Sequence, residues 1–86
     1  MRIEKKTRPE FFEQVVKGEK TFDLRLADWK CSPGDILVLK EWDSKANKYT
    51  GRVLEKKVTY VLRTKDLNFW TKDEIDKHGF QVIAFK

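Results

Sequence analysis

The sequence predicts a small α+β domain in which one early helix is followed by short strands, forming an antiparallel sheet that curls into a barrel. Three observations carry this expectation. Helical apolar periodicity is clear over residues 8–17, it gives way to a period of two from Thr21 onward, and runs of short strands follow the one early helix where repeated strand–helix–strand units are not seen. At 86 residues the chain makes a single domain, residues 1–86, with one core. A chain of this size buries about 60 to 65% of its unfolded surface, too little for two independent cores. Apolar residues form 40% of the sequence and charged residues 38%, so the low-hydrophobicity signature of disorder is absent.

The elements follow in order. MRIEKKT is a short β-compatible segment anchored by Ile3. Thr7 is positioned to cap a helix, Pro9 sits in its first turn where a missing N–H costs nothing, and Glu10 suits the positive end of the dipole. Phe12, Val15 and Val16 then make one apolar stripe, with Phe11 beside it, and Gly18 supplies the stop. From Thr21, Phe22, Leu24 and Leu26 alternate with Asp23 and Arg25, which predicts a half-buried strand. Ser32-Pro33-Gly34-Asp35 is a turn, with proline pre-set at its second position. ILVLKEW is apolar enough on both faces to lie centrally in a sheet.

After the polar connection DSKANKYTG, a long strand is expected over GRVLEKKVTYVLRT, with Leu54, Val58, Tyr60 and Leu62 inward and a bulge near Lys56. Thr71 and Glu74 form a capping box for a short helix over residues 72–77, ended by Gly79. Phe69-Trp70 is expected to close the barrel bottom, and FQVIAF to be the last strand.

The chemistry concentrates in GEKTFDLR, residues 18–25. Lys20 has the same parity as Phe22 and Leu24, so a regular strand would drive its ammonium into the core, at a cost of several kcal/mol if unpaired. Either Lys20 precedes the strand, in the turn after Gly18, or it points into a cleft where an acid or an anionic ligand meets it. Both place it beside Thr21, Asp23 and Arg25. A solvated strand face with a surface ion pair is the plain alternative.

The wider composition narrows the partner. Nineteen Lys+Arg against fourteen Asp+Glu give a net charge of +5, which suits a polyanion, although both signs are interspersed. The single Cys31 excludes an internal disulfide, no Cys/His cluster has zinc spacing, and neither a metal nor another cofactor is expected. No apolar run approaches the length of a membrane span or a signal-peptide core. A cytoplasmic protein without a membrane partner is expected, as a monomer or weak homodimer whose exposed edge strand pairs with a copy of itself. His78 is placed to cap a helix C-terminus, and Cys31 to be a structural thiol.

Gly18-Glu19-Lys20-Thr21-Phe22-Asp23-Leu24-Arg25 resembles the GxKxxExR signature of the ASCH family, a PUA-like fold, with Asp23 where that family usually has glutamate. The likeness extends to the Phe-rich helix before it, to Pro33-Gly34-Asp35-Ile36-Leu37, and to Val82-Ile83-Ala84-Phe85. Leu39-Lys40-Glu41-Trp42-Asp43 followed by Tyr49-Thr50-Gly51-Arg52 is similar to a subgroup of very small ASCH-like proteins described as a domain of unknown function. The resemblance implies a barrel of five to six strands with a cleft beside the first helix, used on RNA or a modified nucleoside.

Within that cleft Lys20, Arg25 and Arg52 would meet phosphate or a nucleobase oxygen. Asp23 and Glu41 would accept from an exocyclic amine, Thr21 would line the wall, and Trp42 or Trp29 would stack on a base. A second implication is a small amidohydrolase acting on N4-acetylcytidine-type nucleosides, with Lys20, Thr21, Asp23 and Glu41 catalytic. The family's catalytic threonine falls at Asp23 here, and the binding scheme asks no secondary hydroxyl to be a nucleophile. A protein-interaction module without catalysis is the third class.

Overall fold

The computed structural model describes residues 1–85. Strand β1 (Arg2–Thr7) leads through Arg8 directly into helix α1 (Pro9–Val16); strand β2 (Ile36–Asp43) and strand β3 (Lys48–Lys57) form a hairpin, and helix α2 (Lys72–His78) follows a single 3-10 turn at Thr64–Asp66. The class is α+β, as the periodicities predict. Among the described residues the sheet has three strands in the order β1-β2-β3 and is open, so the expected barrel of five to six strands is not formed. The sheet is also mixed. β1 runs parallel to β2, because α1 and the loop behind it carry the chain back across the sheet, and β2 runs antiparallel to β3.

The register sets which side chains meet. Ile3 pairs with Leu37, Lys5 with Leu39 and Thr7 with Glu41; Leu39 pairs in turn with Leu54. These residues share the inner face, toward α1. The helix lays Phe12 and Val15 onto Leu39, with Leu37 and Leu54 packed around them. This small cluster is the core, and β2 runs through its centre as its apolar composition predicts.

The predicted strand over Thr21–Leu26 is instead irregular. The Lys20 ammonium donates to the Phe22 carbonyl at 3.0 Å, so a local side chain holds an acceptor that a ladder would have used. β3 stops at Lys57; Val58 makes one last exchange with Gly34 and Asp35, and Tyr60 and Leu62 remain exposed rather than inward. Residues 80–85 do not form the expected closing strand. Phe69 and Trp70 are exposed, packing edge-on against each other and, through Trp70, on Phe80, rather than closing a barrel.

Three local details differ in kind. Thr7 is not the cap of α1; it ends β1, 4% exposed, and Arg8 takes the N-cap position without a side-chain bond. The bulge is not at Lys56. Between the Lys40–Val53 and Trp42–Tyr49 pairs, Glu41 alone faces Thr50, Gly51 and Arg52, with Gly51 at φ 95. Glycine takes that left-handed conformation without a Cβ clash.

The other turn and cap expectations hold. Asp35 closes the Ser32–Asp35 turn, its carboxylate accepting the Ser32 N–H, and that bond holds its pKa below the ordinary value with help from the Met1 amine. The Thr71–Glu74 box is reciprocal, and Gly79 follows α2.

Candidate functional site

The loop after α1 begins at Gly18, whose φ of 78 turns the chain back along the helix. Two residues on, Lys20 extends its side chain to Asp23, with Nζ 3.4 Å from Oδ1. The remaining Asp23 oxygen, Oδ2, accepts from Arg25 Nε. Arg25 Nη2 then reaches across to β1, donating to the Lys6 carbonyl at 2.9 Å and to the Thr7 hydroxyl at 3.2 Å. One guanidinium thus ties the loop to the end of a strand eighteen residues earlier in the chain.

These groups are largely withdrawn from water. The Lys20 side chain is 14% exposed and that of Asp23 21%. The Lys20 ammonium also lies 5.0 Å from the Phe22 ring centre and 5.5 Å from that of Phe11, so its surroundings combine one acid with two aromatic faces.

Lys20, Phe22, Asp23 and Arg25 line two hollows. The first, about 450 Å³, opens between the C-terminal end of α1, Leu37 and Leu39 of the sheet, and residues 56–63, with Thr21, Trp29 and Cys31 also on its wall. Its size suits a nucleoside-scale ligand. The second, about 570 Å³, lies beyond Thr7 and Phe11. Lys20, Thr21, Asp23 and Arg25 are therefore brought together on one concavity, by an irregular loop and not by a strand. Trp29 joins them, with the Lys5 ammonium 3.8 Å above its ring.

Glu41, Arg52 and Trp42 do not line that cleft. Glu41 is 5% exposed and accepts from the Thr50 hydroxyl at 2.7 Å. Arg52 lies 3.7 Å from Glu41 and donates to Glu13 of α1 at 3.2 Å, with its guanidinium over the Phe12 ring. The bulge at Gly51 makes this possible by turning both Thr50 and Arg52 toward a single carboxylate. The motif Tyr49-Thr50-Gly51-Arg52 therefore clamps the hairpin to the helix. Trp42, one residue past Glu41, is on the opposite sheet face, edge-on to Tyr49 at 4.8 Å.

Sequence reasoning missed Thr7, Glu13 and the Lys6 carbonyl. Thr7 carries the signal of a helix cap, and nothing in its spacing points to Arg25. Glu13 adjoins the apolar stripe, and a strand residue's carbonyl leaves no trace in sequence at all.

The fold and site together define a small α+β domain with a cation–carboxylate pair in a nucleoside-sized cleft. Residues 4–75 match the family described as domain of unknown function DUF3850, and the chain belongs to that family. No curated protein and no solved structure matches it. Among the described residues, no helix is long and apolar enough to cross a membrane.

Proposed function

We propose that this chain binds RNA or a modified nucleoside in the cleft beside α1, in the manner of an ASCH-like domain. The observation that carries this reading is the Lys20–Asp23 pair, opposite charges 3.4 Å apart and mostly shielded from water on the wall of a 450 Å³ hollow. A cytosine-type edge offers an amine donor beside ring-nitrogen and carbonyl acceptors, and a carboxylate beside an ammonium is its complement. Trp29 and Phe22 add flat apolar surface on which a base can stack. The net charge of +5 favours a phosphate-bearing ligand. The likeness of residues 18–25 to GxKxxExR supports the same ligand class.

Calorimetric titration with cytidine, N4-acetylcytidine and uridine tests the reading. Cytidine is expected to bind more tightly than uridine, Asp23→Asn to erase that preference, and Lys20→Ala to weaken cytidine at least about tenfold, as loss of a charge-assisted hydrogen bond implies. Absence of binding to all three overturns the reading and favours a protein-interaction module. Release of cytidine from N4-acetylcytidine, abolished in Lys20→Ala, replaces binding with amide hydrolysis.

A further inference from the structure

The sheet face turned away from α1 carries a second constellation. Alternation along the strands places Arg2, Glu4 and Lys6 of β1, Ile36, Val38, Lys40 and Trp42 of β2, and Tyr49, Val53, Glu55 and Lys57 of β3 there, with Val38 buried beneath its neighbours. Trp42 and Tyr49 are a directly opposed cross-strand pair, and Tyr49 is 43% exposed. Lys6 Nζ lies 4.0 Å from the Trp42 ring centre and Lys40 Nζ 4.7 Å from that of Tyr49.

The charges on this face are unequal in kind as well as number. Its two carboxylates are occupied: Glu55 is held by Arg2 and Glu4 by Lys40 at 3.3 Å. Lys6 is in none of the ion pairs among the described residues, and its ammonium has only aromatic rings beneath it. Four cations against two engaged acids leave the face positive around an aromatic pair in which Tyr49 is exposed and Trp42 half-buried. That combination complements a chain of anionic groups interleaved with flat π surfaces.

We infer that the outer sheet face is a second binding surface, specific to single-stranded nucleic acid, in which bases stack on Tyr49 and Trp42 while Lys6 and Lys40 swing from the rings to the flanking phosphates. Both lysines have stems long enough for this exchange, and every base offers a face, so the surface is indifferent to sequence. The inference rests on the nucleic-acid part of the function proposed above, but its stacking and phosphate-binding residues, Trp42, Tyr49, Lys6 and Lys40, do not line the 450 Å³ cleft.

Fluorescence anisotropy of a short labelled single-stranded RNA, measured across a salt series, tests it. Tyr49→Ala is expected to weaken binding roughly tenfold or more, the usual effect of removing a stacking ring, whereas Tyr49→Phe retains it. Lys6→Gln with Lys40→Gln is expected to flatten the logarithmic salt slope by about 1.4, since each neutralised phosphate contributes about 0.7 on a single strand.

With the cleft filled by saturating cytidine, RNA binding is expected to persist and to keep both effects, which separates this surface from the cleft. Unchanged affinity in a folded Tyr49→Ala protein, an unaltered slope in the double-lysine variant, or no RNA binding at low salt overturns the inference. Abolition of all RNA binding by saturating cytidine assigns the RNA to the cleft and overturns it equally.

Discussion

At the scale of single residues, Arg25 does more structural work than its neighbours. Its guanidinium meets a carboxylate, a backbone carbonyl and a hydroxyl at once, a set that a lysine ammonium on a flexible stem cannot reproduce. Arg25→Lys is therefore expected to behave almost like Arg25→Ala, each lowering stability by about 1 kcal/mol in urea denaturation, because the pair is partly exposed and screened. The sharper readout is local: hydrogen exchange over residues 20–26 should rise well beyond the change in global stability, since the loop loses its tie to β1. Much of this site was legible. The strand on which the parity of Lys20 is counted is absent, but the alternative placement, in a cleft where an acid meets it, is what the loop forms with Asp23. Thr7 was illegible because a threonine before Pro9 reads as a cap, whereas its hydroxyl is drawn to Arg25 from a loop that sequence places far away.

Elements whose logic is local were the most readable, and α2 shows why. Thr71 accepts from the Glu74 N–H and Glu74 accepts from the Thr71 N–H, so the box is complete within four residues of chain. That second bond holds the Glu74 carboxyl below its ordinary range. A depressed carboxylate stabilises above its unfolded pKa, about 4.3, and the contribution is lost as pH falls through the lower folded value. The Thr71 amide is thus expected to be protected at pH 6 and to lose protection only as pH falls below the ordinary carboxylate range, a change visible in an NMR titration and absent in Glu74→Gln. Gly51 lies at the opposite limit. It was visible as a turn glycine, but its bulge depends on Glu41 across the ladder, which sequence does not align. Gly51→Ala at φ 95 is expected to cost about 1 to 2 kcal/mol and to release Arg52 from Glu13. A fall in the denaturation midpoint together with a shifted Arg52 side-chain resonance would show both. The strands expected over residues 21–26 and 80–85 failed for a related reason: alternation states which face a residue prefers, while pairing requires a partner edge that presents itself.

For the molecule as a whole, the decisive fact is how little of it the core holds. Phe12, Val15 and Leu39, with Leu37 and Leu54 around them, fasten α1 to the sheet, but residues 20–31 and 56–63 enclose the cleft almost without ladder bonds. Segments of that kind open at low free energy and are ordered by whatever fills the space between them. A cleft ligand is therefore expected to stabilise the whole chain by mass action and to show a negative heat-capacity change as apolar wall residues are covered. At a hundred times its Kd, cytidine should contribute about 2.7 kcal/mol, which for a domain of this length corresponds to a rise in Tm of roughly 10 to 20 °C. With cytidine bound about tenfold more weakly, Lys20→Ala should show about half that rise at the same cytidine concentration, while the core is untouched. A wild-type Tm indifferent to saturating nucleoside would mean that the two loops are already in their final arrangement and that the cleft has no such occupant.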